Sequence, residues 1–175
     1  MSGWTVAFTD TGMDAVMGER LGAARPLLVD EDMFLANYSD TFSDVSLPAM
    51  MNDARTTGTT SAFLAVRPQA SFHLVRFSPV DRRLSQITPF TETNEWSNGG
   101  FFVLRQGIFE ALGLGEDLVN ELFNQLAAAG KVVAYPYTGF YTALDTAKDR
   151  ARLDRLWANG DRPPAVWDRT HSRLA

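Results

Sequence analysis

Cysteine is absent from the 175 residues, which excludes disulfides and thiolate metal sites and fits a reducing compartment, so a cytoplasmic location is expected. Histidine is nearly absent: His73 and His171 are too few for a histidine-rich metal centre. Any metal would be held by carboxylates, whose hard oxygens select magnesium or a similar hard ion. There is no basic excess either. Lys and Arg number 16 against 21 Asp and Glu, a net charge of −5, so no nucleic-acid partner is expected. No apolar run approaches the ~18 residues of a membrane span, and Met1-Ser2-Gly3 does not open a signal peptide. Neither a membrane nor an export route is expected. Internal repeats and low-complexity linkers are missing too. What remains is ordinary for a globular chain: 45% hydrophobic and 21% charged residues, enough for one domain with a core.

The chain is organised around Glu95-Trp96-Ser97-Asn98-Gly99-Gly100-Phe101-Phe102-Val103-Leu104. A polar, glycine-bearing loop runs there straight into a strand that is apolar on both faces, as in the middle of an α/β sheet. Gly99-Gly100 either lets the backbone approach a ligand or takes a turn closed to other residues. Two acidic positions flank this stretch. Asp40 follows a strand over Met33 to Tyr38, at the C-terminal end where open α/β sheets hold their ligands. It is equally a turn residue making an Asx hydrogen bond. Asp145 follows Gly139 to Leu144 and precedes a helix over 147–158, where an acidic cap would stabilise by ~1 kcal/mol.

The other elements follow from periodicity and punctuation. Trp4 to Thr9 alternates and predicts a strand. Residues 13–29 are weakly helical up to Pro26. Pro48 and Gly58 bracket a helix over Leu47 to Thr57, with Met50, Met51 and Ala54 inward. Ser61 to Val66 is an apolar strand. Phe72 to Phe77 and Leu84 to Phe90 make an antiparallel hairpin. Asp117 to Ala129 sets Leu118, Leu122, Phe123 and Leu126 on one helical face, stopped by Gly130. Lys131 to Tyr135 is a strand. The last helix turns Leu153, Leu156 and Trp157 inward. Strands alternating with helices, plus a hairpin, predict a mixed α/β sheet with helices on both faces. One domain over 1–160 is expected, followed by a Pro- and Arg-rich arm over 161–175.

Taken together, these stretches resemble the sugar-phosphate nucleotidyltransferase superfamily, and most of all the C-terminal half of glucose-1-phosphate cytidylyltransferases. Trp96-Ser97-Asn98-Gly99-Gly100-Phe101-Phe102-Val103 looks like their sugar-binding segment. Thr9-Asp10-Thr11-Gly12 with Gly18-Glu19-Arg20 resembles the segment before their metal-binding turn. Asn37-Tyr38-Ser39-Asp40-Thr41-Phe42-Ser43-Asp44-Val45 is similar to the turn itself. Ala65-Val66-Arg67-Pro68 matches a strand end, and Gly139 to Trp157 resembles the closing strand and helix. The resemblance runs from about Trp4 to Trp157.

It implies a Rossmann-like fold and a reaction in which a sugar 1-phosphate attacks a nucleoside triphosphate, giving nucleotide-sugar and pyrophosphate. By that resemblance Asp40 and Asp145 would be the catalytic carboxylates holding Mg²⁺. Glu92 would take hydrogen bonds from sugar hydroxyls, and Asn98, Gly99 and Gly100 would complete that pocket. The departures are as specific. The Gly-Gly-x-Gly-Thr-Arg triphosphate loop, with its strand, has no counterpart in the 175 residues. Ser39 and Thr41 replace glycines, Glu92-Thr93-Asn94 replaces Glu-Lys-Pro, and Ala70-Ser71-Phe72-His73 replaces Gly-Arg-Phe-Gly. These losses remove groups that would offset carboxylate–phosphate repulsion. The resemblance thus implies half of a nucleotidyltransferase, inactive alone and completed by a chain carrying the missing half or by residues upstream of a misplaced start. The alternative is a degenerate binder of a sugar phosphate or of a protein partner. Either way the strand over Met33 to Tyr38 would be an uncovered edge, so a homo-oligomer or heteromer is expected.

Overall fold

The structure is a computed structural model and describes residues 3–69, 72–113, 115 and 117–166. Ala70, Ser71 and the end of the expected arm from 167 onward lie outside the described residues. Helix α1 (Met17–Ala24) runs into a 3-10 turn (Arg25–Leu27) in which Pro26 stops it. Strands β1 (Met33–Asn37) and β2 (Thr41–Ser43) follow, then α2 (Leu47–Thr57) and β3 (Ser61–Val66). Next come β4 (His73–Phe77), β5 (Leu84–Pro89), β6 (Ser97–Arg105) and the short α3 (Ile108–Ala111). A π-helical turn (Leu118–Leu122) leads into α4 (Phe123–Ala128). Strands β7 (Val132–Tyr137) and β8 (Tyr141–Ala143) and helix α5 (Ala147–Ala158) complete the order.

Four strands form one sheet in the order β1-β6-β3-β7. The glycine-led strand β6 is interior, as its two-sided apolar sequence requires. Phe102, Val103 and Leu104 point alternately to opposite faces, yet each is 1% exposed or less. Strand β1 ends the sheet, the position expected for an edge. Two further pairs are two-stranded: β2 with β8, and the hairpin β4–β5, both antiparallel.

The chain divides into two compact units. One unit comprises residues up to Ala36, Met51–Ala62 and Phe102–Val133. Its core holds Ala54, Leu104, Ile108, Leu118, Leu122 and Leu126, with the Phe102 and Phe123 rings edge to face at 5.5 Å. The face predicted for Leu118, Leu122, Phe123 and Leu126 is buried as a set. The other unit comprises Asn37–Met50, Phe63–Phe101 and the residues from Ala134 onward, and it carries every candidate site residue.

Three expectations are corrected. Trp4 to Thr9 is not a strand: among the described residues nothing pairs with it, and Trp4, Val6 and Phe8 are exposed. Alternation alone cannot hold a strand whose backbone groups find no partner but water. Asp145 is not the cap of α5; Thr146 is, accepting from the Asp149 amide while the Asp149 carboxylate accepts from the Thr146 amide. Trp157 does not face inward. It is 44% exposed, and the Arg162 guanidinium covers its ring at 4.7 Å.

Candidate functional site

Asp40 and Asp145 share one end of the β2–β8 ribbon. The register pairs Thr41 with Ala143, Phe42 with Thr142 and Ser43 with Tyr141. It continues one step further, because the Leu144 amide donates to the Asp40 carbonyl at 2.9 Å. Paired Cα atoms stand about 5 Å apart, and Asp145 is the next residue. Beside them is the half-buried phenol of Tyr141. Its pKa is pushed up to about 12, first by burial, then by the charges of Asp145 and Asp40, and then by Tyr38. Two carboxylates and two phenols thus crowd one place.

The acidic residues of this unit sort by occupation. Asp44 is tied down: its Oδ1 accepts from the Tyr137 hydroxyl and from the Phe140 amide at 2.8 Å. The Asp44 amide in turn donates to the Phe140 carbonyl at 3.2 Å, closing the loop between β7 and β8. Asp149 serves the α5 cap. Asp40 and Asp145 are both exposed, and among the described residues neither carboxylate takes a hydrogen bond or an ion pair. The ordinary explanations, an Asx turn for Asp40 and a helix cap for Asp145, are therefore not the ones realised. No three metal-ligating side chains converge among the described residues. The donor set is two carboxylates, whose hard oxygens have free lone pairs. That fits a magnesium-like ion, which keeps several waters and takes one or two carboxylates plus substrate phosphate.

A second cluster forms at the mouth of β6. The Asn98 amide nitrogen donates to the Tyr38 hydroxyl at 3.1 Å, and its oxygen accepts from the Gly100 amide at 2.9 Å. Gly100 has φ +74, and a Cβ there would lie 2.0 Å from the Tyr38 ring. A Cβ on Gly99 would lie 3.1 Å from the Leu64 carbonyl oxygen. The close approach that the glycines allow is thus to the protein's own atoms. Tyr38 links the two clusters, holding Asn98 and bearing on the Tyr141 phenol.

Beside Asn98 lies an open cavity of about 280 Å³ lined by Phe63, Ala65, Trp96, Ser97, Asn98, Ala134 and Pro136. The Arg67 guanidinium stacks 4.0 Å from the centre of the Trp96 ring and donates to the Glu95 carbonyl at 3.3 Å. Glu92 is not in the cavity wall; it is exposed on the 3-10 turn Phe90–Glu92 after the hairpin. Sequence reasoning missed Tyr38, Tyr141 and Arg67. Tyr141 and Ala143 alternate with the buried Thr142, a period-2 cue to which side of β8 faces the carboxylates. For Arg67 no local signal exists, since its partner Trp96 is far along the chain.

Comparisons with known proteins bear on the chain as a whole. No family model matches the chain. It is 28% identical over 170 residues to the glucose-1-phosphate cytidylyltransferase of Salmonella typhimurium (strain LT2), covering 94% of this chain and 64% of that protein. A Bacillus subtilis (strain 168) protein assigned the same name is 26% identical over 166 residues, with the same coverage. The chain therefore spans somewhat less than two thirds of the curated relatives' length. A solved structure from Bacillus anthracis, assigned as a glucose-1-phosphate thymidylyltransferase and in complex with sucrose, superposes with a TM-score of 0.60. Identity is 16%, and the match covers 83% of this chain and 62% of that one. The mixed α/β architecture is thus a partial version of a sugar nucleotidyltransferase fold, as the sequence resemblance implied.

Proposed function

We propose that this chain carries the metal- and sugar-phosphate-binding portion of a sugar-1-phosphate nucleotidyltransferase and does not complete the transfer by itself. The reading rests on one observation above the others. Asp40 and Asp145 lie at the same ribbon end, exposed, and neither is engaged in holding the fold. Adjacent carboxylates repel, and a hard cation is the usual remedy. Bound there, Mg²⁺ would neutralise the non-bridging oxygens of phosphate groups meeting in line.

The chain's own residues then divide the work. Asp40 and Asp145 hold the ion. Asn98, fixed through its oxygen by Gly100 and through its nitrogen by Tyr38, keeps one N–H to offer a sugar hydroxyl. Gly99 and Gly100 join this pocket by the resemblance alone, and Trp96 supplies a flat wall steadied by Arg67. The assignment of Glu92 to sugar hydroxyls rests on the resemblance alone. The 175 residues contain no Gly-Gly-x-Gly-Thr-Arg loop, and Thr93 stands where the family has lysine, so the triphosphate lacks its cradle here. A partner chain or an upstream segment carrying that loop would complete the reaction to nucleotide-sugar and pyrophosphate.

Calorimetric titration with glucose 1-phosphate tests this. Binding is expected only with Mg²⁺ present, weakened at least about tenfold by Asp40→Asn or Asp145→Asn. No pyrophosphate is expected from CTP and glucose 1-phosphate with this polypeptide alone. Turnover by the isolated chain, or no binding with Mg²⁺, would overturn the proposal. Binding indifferent to Mg²⁺ and to both substitutions would instead identify a non-catalytic sugar-phosphate binder.

A further inference from the structure

Asp145 is the single residue between two fixed elements. Before it, the Leu144 amide closes the β2–β8 ribbon on the Asp40 carbonyl. After it, Thr146 caps α5. Where the Asp145 carboxylate stands relative to Asp40 therefore depends on the angle at which α5 leaves the ribbon. Core packing does not set that angle. None of the twelve residues of α5 is buried, and Leu153 and Leu156 are only half-buried. A helix so lightly packed needs a specific contact to hold one orientation.

Arg152, in the second turn of α5, makes that contact. Its Nη2 donates to the Thr142 hydroxyl and, at 3.4 Å, to the side-chain oxygen of Gln69. Thr142 lies in β8 and is 1% exposed, and its hydroxyl donates in turn to the Ala143 carbonyl at 3.2 Å. Gln69, just past the end of β3, turns its amide nitrogen to the Tyr141 carbonyl. Strand β8 pairs with β2 along one side, so Gln69 holds the other. The segment from 142 to 152, with Asp145 inside it, is thus closed at both ends by one guanidinium. Among the described residues Arg152 has no acidic partner, so its charge is not spent on an ion pair. Groups that orient a metal ligand commonly govern affinity by tenfold or more.

We infer that Arg152 is a positioning residue for Asp145: by latching α5 to Thr142 and Gln69 it sets the place of the Asp145 carboxylate against Asp40, and with it the affinity of the ribbon end for a hard divalent cation. The inference rests on the assignment of both aspartates to the ion proposed above. The sign of the effect separates this role from two ordinary ones. A guanidinium acting only by its charge opposes a nearby cation, so its removal would tighten binding. One that only stabilises the fold would leave the affinity of the folded chain unchanged. A positioning residue weakens binding when it is lost, in spite of the repulsion removed.

Mn²⁺, a hard ion that carboxylates also take, tests this by electron paramagnetic resonance of the free ion against the full chain, with circular dichroism to confirm folding. Arg152→Met is expected to weaken Mn²⁺ binding about tenfold, and Thr142→Val, which removes the other end of the same bond, by a similar factor. Arg152→Lys, which keeps an N–H for Thr142, should lose less. Arg155→Met, on the same helix but with no side-chain bond among the described residues, should not weaken binding. Adding Arg152→Met to Asp145→Asn should cost nothing further, because the carboxylate it positions is already gone. Unchanged or tighter binding in folded Arg152→Met or Thr142→Val would overturn the inference and leave the ion assignment standing. So would a full additional loss on top of Asp145→Asn, or an Arg155→Met loss equal to that of Arg152→Met. Mn²⁺ binding indifferent to Asp40→Asn and Asp145→Asn would overturn the ion assignment and this inference with it.

Discussion

Among the described residues two antiparallel ribbons of two strands each stand apart from the main sheet, and they solve the same problem differently. The β2–β8 ribbon joins strands almost a hundred residues apart and is only three residues long. It survives because other groups fasten it. Asp44 grips the loop at one end, and the buried Thr142 hydroxyl accepts from Arg152 of α5, which also reaches Gln69. The β4–β5 hairpin is longer and purely local, yet every residue of β4 is exposed. Among the described residues nothing comparable fastens its apolar face. A ribbon made by distant segments exists only if tertiary contacts hold it; a local hairpin forms readily and leaves its apolar side to be covered. This difference is why the ribbon fixes where Asp40 and Asp145 stand, while the apolar side of the hairpin stays exposed among the described residues.

The comparison can be broken at the clamp. Asp44→Ala leaves the Tyr137 hydroxyl and the Phe140 amide without their acceptor, at a cost of about 2 kcal/mol. Urea denaturation measures it directly; an unchanged midpoint would mean the ribbon is held elsewhere. A subtler probe is the Tyr141 phenol. With its pKa raised to about 12 in the folded chain, it keeps its proton where an unfolded tyrosine, titrating near 10, has lost it. The folded state then binds the extra proton, so stability is complete below pH 10 and falls as pH rises toward 12. Absorbance titration near 295 nm should find one late-titrating tyrosine, and Asp145→Asn with Asp40→Asn should lower its pKa. The smallest effect belongs to the hairpin. Leu84→Ser should change stability by no more than about 0.5 kcal/mol, because more than half of that side chain is already in water. A much larger loss would show that the apolar face packs within its own chain.

Helix α2 was legible to the residue, from Pro48 near its start to Gly58 just past its end. So were β3 and α5, whose limits are set by local chemistry. Trp4 to Thr9 misled because alternation reports what a strand would bury, and no partner strand is there to complete it. Trp157 misled for a related reason: helical spacing names a face, and whether that face meets protein depends on distant segments. The candidate site was half legible. Asp40 and Asp145 stood out by their places at strand ends. Thr146 takes the cap only because Asp149 can fold back onto it, which made Asp145 a free group and not a structural one.

By itself, then, the sequence determined the limits of α2, β3 and α5 and the burial of β6 on both sides. Those follow from composition, short-range sterics and apolar periodicity, all written within a few residues of where they act. Only the tertiary structure decided that Asp40 and Asp145 meet at one ribbon end beside Tyr141, that Tyr38 fixes Asn98, and that Arg67 backs Trp96. Each of these joins residues about thirty to a hundred positions apart. Such pairs are chosen by the packing of whole strands, since no local rule of the chain distinguishes one distant partner from another.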